Sequence, residues 1–328
     1  IRFRGNELKH EFKKYCFFSK NWRKQLIRKS TISANTNINQ EALSKLLIFI
    51  PSEIEQTAIA EVLSTADKTI EKTEQLIEQK EQKKKWLMQN LLTGKVRLPG
   101  FDKHPVEDIR ERIRMINDGV VPEGYKETKV GIIPEEWPVK KLSDFSNIKT
   151  GDKNNADKIS DGKYPFFVRS ENIEKINSFS FEGEAILIPG DGRIGEIFHY
   201  IVGKFDYHQR VYKISDFSSN VIGRYIYYYL SQFFKKHALK YTAKATVDSL
   251  RLPMLKEMPL LKPELIEQTA IAEVLSTADK EIDLLNQKLE ALKEQKKALM
   301  QLLLTGIVRT NTLILQSDSE KEGVSCVE

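Results

Sequence analysis

Residues 55–68 read EQTAIAEVLSTADK, and residues 267–280 read the same fourteen residues without a mismatch. A match of that length inside one chain is a duplication, and it organises the sequence around it. At a constant offset of 212 positions the correspondence continues through Leu87-Met88-Gln89 with Leu299-Met300-Gln301, then through Leu91-Leu92-Thr93-Gly94 with Leu303-Leu304-Thr305-Gly306. Upstream, the same offset pairs Pro51 with Pro263, Leu43 with Leu255, Trp22 with Phe234, Ser19 with Ser231 and Tyr15 with Tyr227. The second copy is preceded by about 100 residues, from roughly Tyr125, that have no counterpart before Tyr15, so the first unit reads as truncated at its N-terminus.

After the shared block each copy has the spacing of a coiled-coil helix. Ile282, Leu285, Leu289, Leu292, Lys296, Leu299 and Leu303 alternate steps of three and four. The equivalent positions of the first copy, Ile70, Thr73, Ile77, Lys80, Lys84, Leu87 and Leu91, form a weaker seam interrupted by polar residues. Good helix formers fill the other positions, and Gly94 and Gly306 supply a stop after the last apolar turn. A continuous helix over residues 55–92 would extend about 57 Å at about 1.5 Å per residue. A helix that long with one apolar stripe needs a partner, and the other copy is the nearest candidate. The returning helix can run either way, but a repeat of globule plus helix favours an antiparallel pair. The expected interface is Ile70, Ile77, Leu87 and Leu91 with Ile282, Leu285, Leu289, Leu292, Leu299 and Leu303.

Between the copies, residues 99–124 are punctuated by Pro99, Gly100, Pro105, Gly119, Pro122 and Gly124 and read as a linker with one small helix over 106–116. From Tyr125 the pattern shifts to short aromatic and β-branched runs over 164–168, 185–188, 196–202 and 210–214, which predict strands. Residues 224–239 predict a helix with a Tyr and Phe face, 241–249 are polar and extended, and 250–261 are apolar. The fold class is therefore α+β: a globule of residues 125–262 plus two long helices over 51–98 and 263–310, with a basic N-terminal segment at 1–50 and a polar tail at 311–328.

Positive charge is unevenly placed. Residues 1–50 carry 11 basic against 3 acidic side chains and residues 125–262 carry 22 against 17, within a net charge of +6. The rest of the chain is thus net negative, and the asymmetry suits a polyanionic partner. Cys16 and Cys326 have no C-x-x-C partner, and His10, His104, His199, His208 and His237 lack metal-ligand spacing, so neither a disulfide framework nor a metal site is expected. No apolar run approaches the length of a membrane span, and the start at Ile1 has no signal-peptide pattern, so a cytoplasmic location without membrane contact is expected. Residues 190–195 match G-x-G-x-x-G, but residues 196–202 alternate like a strand, so a turn between two strands explains the motif better than a dinucleotide site. No Walker, H-E-x-x-H, G-x-S-x-G or zinc-deaminase signature occurs.

A segment opened by Gly131-Ile132-Ile133-Pro134-Glu135-Glu136-Trp137, closed by Pro263 and Glu267-Gln268, and followed by a long helix ending Leu-Leu-Thr-Gly resembles the specificity subunits of Type I restriction-modification enzymes. The likeness runs from Tyr15 to Arg309. It implies two target-recognition domains, each reading half of a split DNA site, separated by an antiparallel pair of helices that serve as a ruler. It also implies docking of methyltransferase subunits, which bind S-adenosylmethionine, and of restriction subunits through the assembled complex. No cofactor and no catalysis are expected in this chain. The first recognition domain is represented only by residues 1–50, so the chain is expected to bind double-stranded DNA at one half-site at best unless a second specificity chain supplies the rest. Candidate DNA contacts are Lys149, Lys153, Asn154, Asn155, Arg169, Arg193, Gln209, Arg210, Lys240 and Lys244, because Lys and Arg meet phosphates while Arg, Lys, Asn and Gln read base edges. The competing readings are a coiled-coil interaction scaffold without DNA recognition and a nucleotide-dependent enzyme built on the glycine turn.

Overall fold

The computed structural model describes residues 7–29, 31–32, 36–241 and 249–310. The chain divides into a unit of residues 1–80 and 281–328 and a unit of residues 81–280. In the first unit the chain forms α1 (His10–Lys13), α2 (Lys20–Lys29), the strand pair β1 (Thr31–Ile32) and β2 (Thr36–Asn37), and α3 (Gln40–Ser44). It then enters the 39-residue α4 (Glu53–Leu91). Pro51 precedes α4 and Glu53 and Glu55 occupy its first turn, where carboxylates meet the positive end of the helix.

In the second unit, α5 (Ile109–Asn117) is followed by the hairpin β3 (Tyr125–Thr128) and β4 (Gly131–Pro134), then β5 (Val139–Lys141). A six-stranded sheet is built from β6 (Asn147–Thr150), β7 (Tyr164–Phe167), β8 (Ile173–Ile176), β9 (Phe181–Pro189), β10 (His199–Tyr207) and β11 (Val211–Ser215), in the order β6-β11-β9-β10-β7-β8. All its neighbours are antiparallel except β10 and β7. Helices α6 (Gly223–Ala238) and α7 (Leu252–Lys256) and strand β12 (Pro259–Leu261), paired with β5, lead into the 39-residue α8 (Leu265–Leu303).

The central strand β9 explains the apolar run at 185–188. Successive side chains of a strand face opposite ways. Ile186 and Ile188 pack under α6 with Tyr225, Ile226, Leu230 and Phe234. Ala185 and Leu187 join Phe167, Phe205, Tyr207 and Val211 on the other face. Both faces are covered, so no polar alternation is left to see.

Within each unit α4 and α8 run antiparallel. In the first unit, Leu303 and Leu304 at the end of α8 bury against Ile59 and Leu63 near the start of α4. Asp67 pairs with Lys296, Glu74 with Lys293 at 3.2 Å and Lys80 with Glu281 at 2.5 Å, rising along one helix as they fall along the other. In the second unit Met88, Leu91 and Leu92 bury with Ile271, Ala272 and Leu275, and Lys84 pairs with Asp279. Ile77, Leu91, Leu289 and Leu303 are buried and Ile70, Leu87, Ile282, Leu285, Leu292 and Leu299 half-buried. The polar interruptions Lys80 and Lys84 are not breaks in the seam: their stems lie along it while their ammonium groups reach carboxylates of the other helix.

The two units use one set of contacts with the helices exchanged. Arg97 holds Glu267 in one and Arg309 holds Glu55 in the other, at the offset of 212. Upstream, however, the equivalence of Tyr15 with Tyr227 is wrong by one residue. Tyr15 Oη donates to Asp67 at 2.8 Å, and the phenol that donates to Asp279, at 2.6 Å, is Tyr228. Lys9 N donates to Gln56 Oε1 as Ile222 N donates to Gln268 Oε1, again 213 apart. Leu8, Phe12, Tyr15 and Cys16 bury as Val221, Tyr225, Tyr228 and Tyr229 do. The offset changes between Cys16 and Pro51.

Three further expectations change. The strand expected at 196–202 begins only at His199, because residues 190–198 are used in turning. The short strands β6 and β8 are polar at three and two of their four positions and give no alternating signal in the sequence. The linker at 99–124 is packed: Arg112 is buried, 2.8 Å from Asp102, and donates to His104 O at 2.6 Å and to Tyr125 Oη at 3.2 Å. Tyr125 in turn donates to the Gly94 carbonyl at 2.6 Å.

Candidate nucleic-acid interface

In the second unit the end of β9, the segment after β7 and the turn between β10 and β11 come together. Paired Gly183 and Gly203, at φ +147° and +138°, are glycines in the region that other residues avoid, and they sit mid-way along the β9–β10 ribbon. The turn at 208–210 is then pinned on three sides. His208 N donates to Phe167 O at 2.9 Å, Gln209 N to Lys153 O at 2.8 Å, and Gly190 N to Arg210 O at 2.6 Å. A Cβ on Gly190 would lie 2.7 Å from that same Arg210 oxygen, so the approach requires glycine.

On this frame Asp191 accepts from two guanidinium groups at one oxygen, Arg169 Nη1 at 3.1 Å and Arg210 Nη1 at 3.0 Å. Burial pushes the Asp191 carboxyl up, but the bonds and charges of Arg210 and Arg169 outweigh it and hold the group below the ordinary carboxylate range. His208 Nδ1 accepts from Arg210 N at 2.9 Å, and burial together with the Arg169 charge pulls the imidazole below its usual value, keeping that acceptor neutral. Gln209 donates to Asn154 Oδ1 at 2.6 Å. Arg193, on the β9–β10 connection, reaches Glu171 at 3.1 Å and Glu196 at 3.0 Å. A recess of about 550 Å³ opens here, lined among others by Asn155, Lys158, Arg169, Ser170, Glu174 and Asp191.

Of the residues singled out from sequence, Lys153, Asn154, Asn155, Arg169, Arg193, Gln209 and Arg210 share this region. Lys149 is elsewhere, on edge strand β6 opposite Lys213. Lys240 follows α6 and lines a different depression with Lys129, Lys140 and His237. Lys244 lies outside the described residues. The residues that sequence reasoning missed are those that hold the arginines: Asp191 stood inside the glycine motif, where the glycines and Arg193 drew notice, and His208 was weighed only as a metal ligand. That motif joins two antiparallel strands, and no helix opens after it. Among the described residues no group of three His, Cys, Asp or Glu side chains could hold a metal ion, and no helix is long and apolar enough to cross a membrane.

A family model described as the Type I restriction modification DNA specificity domain matches residues 1–82 and 134–294. The specificity subunit of Type I restriction enzyme EcoDI from Escherichia coli is 31% identical over 177 residues, covering 53% of this chain and 38% of that protein. That of MjaVIII from Methanocaldococcus jannaschii is 25% identical over 324 residues, covering 91% of this chain and 71% of that protein. The chain thus spans well under half the length of the E. coli relative. Among solved structures, the S subunit of a Type I restriction-modification system from M. genitalium shares the fold at a TM-score of 0.60, with 17% identity over 91% of this chain and 73% of that one. A chain from a structure describing complex assembly of a Type I system aligns at a TM-score of 0.50, with 14% identity over 92% and 73% of the two chains. With well over half of the chain matched, including most of both long helices and of the globule between them, the chain belongs to the family of Type I restriction-modification DNA specificity subunits.

Proposed function

We propose that this chain selects DNA sequence for a Type I restriction-modification complex, reading one half of a bipartite site with the unit of residues 81–280 and carrying no catalysis itself. The observation that carries this reading is the meeting of Lys153, Asn154, Asn155, Arg169, Arg193, Gln209 and Arg210 on one frame of turns. Donors of that kind, held by fixed backbone, suit phosphate positioning and base-edge readout together. The test is binding of the full chain to random-sequence duplex as salt is raised. Displaced counterions make affinity fall on the order of 100-fold between ~50 and ~200 mM salt for about four phosphate contacts. Binding that ignores salt, or no binding at low salt, would overturn the proposal and leave the interaction scaffold standing.

The methyltransferase subunits, with their S-adenosylmethionine, and through them the restriction subunits, are the partners in this reading. Part of the duplicated block supports it. Glu55, Gln56, Ile59, Ala60, Leu63 and Asp67 are used inside the first unit, and their counterparts are used likewise in the second. Glu61, Thr65 and Lys68, like Glu273, Thr277 and Lys280, are exposed, yet they are identical in the two copies. Their i, i+4, i+7 spacing makes one stripe of helix. The same stripe presented twice suits two copies of one partner. Reversing charge at Glu61 and Lys68 should weaken capture of the methyltransferase subunit in pull-down at low salt; undiminished capture by a chain reversed in both copies would remove this stripe from the interface.

A further inference from the structure

Resting on the DNA-reading proposal, we infer that the recess beside Asp191 reads a guanine–cytosine base pair, with Arg169 and Arg210 donating to guanine and Asp191 acting as the positioning residue for both. Two features separate this from a phosphate clamp. The first is the company the arginines keep. Asp191 and Glu174 both line the recess, and Lys158, the other cation there, is 3.3 Å from Glu174. A phosphate entering would meet two carboxylates together with the cations. A base edge carries donors as well as acceptors: guanine O6 and N7 accept from a guanidinium, and cytosine N4 donates to a carboxylate. Asn155 and Ser170, which can do either, also stand in the lining.

The second feature is preorganisation. Each arginine spends Nη1 on the same Asp191 oxygen, which leaves Nη2 and the rest of the fork to donate. Arg169 and Arg210 side chains keep 41% and 64% of their surface exposed, while Asp191 keeps 19%, so the anchor is sheltered and the donors are presented. Arg169 lines the recess, and Arg210 stands next to it at the same Asp191 oxygen; without the carboxylate these two like charges would repel and splay. Arg193 differs, since both of its carboxylate partners are themselves exposed.

The experiment is selection from a randomised duplex library by the full chain, with affinity then measured on the selected duplex and on duplexes altered one base pair at a time. The expected result is a G·C pair whose replacement weakens binding roughly tenfold to a hundredfold. Asp191→Asn and Arg210→Lys, the second keeping charge but losing the fork, should bind random duplex with the wild-type salt slope and lose the preference at that one pair. Asp191→Asn protein that keeps the full preference, or that weakens on all sequences alike with a shallower salt slope, overturns the inference and assigns the cluster to structure or to phosphate. If the wild-type chain binds no duplex at all, the DNA-reading proposal fails, and this inference with it; the variant results cannot be confused with that outcome.

Discussion

Arg97 grips Glu267 with two parallel bonds, Nε at 2.5 Å from one carboxylate oxygen and Nη2 at 2.8 Å from the other. Trp137 Nε1 adds a third donor to the same carboxylate at 3.2 Å, and its ring lies under the guanidinium. In the first unit Arg309 makes the same two-bond grip on Glu55. The two grips differ in shelter: the Arg97 side chain is 6% exposed and that of Arg309 64%. Removing one partner of a buried pair strands the other charge, at about 3–5 kcal/mol. Both carboxylates are buried, Glu267 at 3% and Glu55 at 8% exposed, so Arg97→Ala and Arg309→Ala should each lower the urea midpoint, and a midpoint unchanged in either variant would contradict the role given to the buried carboxylate.

The one-residue correction to the repeat makes its own prediction. Tyr228, and not Tyr227, is the phenol that bonds Asp279, as Tyr15 bonds Asp67. Hydrogen bonds to charged groups contribute about 1.5–3 kcal/mol. Tyr228→Phe should cost an amount in that range in equilibrium denaturation, and Tyr227→Phe a few tenths. The reverse order would restore the offset of 212 upstream of Pro51.

These two cases mark what the sequence made legible. The paired helices could be read because their signal is long: a heptad seam with a gapless repeat of fourteen identical residues. The globule could be read where strands bury on both faces, as at 185–188, and not where short edge strands such as β6 and β8 expose polar residues on both sides of the pattern. The arginines of the candidate site were legible by residue type alone. Asp191 was not, because its importance lies in two residues 22 and 19 positions away that only the curl of the sheet brings to it. The packed state of 99–124 was hidden for a similar reason, since a buried Arg112 satisfied by Asp102 and His104 looks in sequence like one more surface charge.

Stability should fall on mild acidification. Burial lowers His199, His208 and His237 below the ordinary histidine value of 6.5 in the folded protein. Their neighbours include Glu171 for His199, Arg169, Asp191 and Arg210 for His208, and Lys240 and Glu257 for His237, and none of them reverses the direction. A depressed folded-state value means the unfolded chain takes up protons first. The contribution is whole above about pH 6.5 and is lost as pH falls below it, until the folded-state values are passed, with each group adding at most about 1.4 kcal/mol per pH unit. Asp67, held at about 2 although burial pushes it up, because Lys14, Lys296 and Tyr15 bond it, loses its share only at far lower pH. Urea midpoints at pH 7.5, 6.5 and 5.5 should thus be flat and then falling, and His237→Leu should flatten the fall; a wild-type midpoint that rises toward pH 5.5 would refute the assignment.

Two glycines of the turn separate the frame of the candidate site from its mere stability. Gly190 has an ordinary backbone angle, and what it cannot accept is bulk, because a Cβ would sit 2.7 Å from Arg210 O. Gly192 is the opposite case, with φ at +79° and open space around the position of a Cβ. Alanine at Gly192 should cost about 1–2 kcal/mol of backbone strain and leave the Arg210 turn in place. Alanine at Gly190 must push the 208–210 turn away from β9, breaking the Gly190 N–H bond to Arg210 and drawing the guanidinium off Asp191. The expected outcome is that Gly190→Ala loses sequence preference on duplex DNA while Gly192→Ala loses only thermal stability. Should both variants keep their preference, the tethering of Arg210 through Gly190 would have no part in recognition.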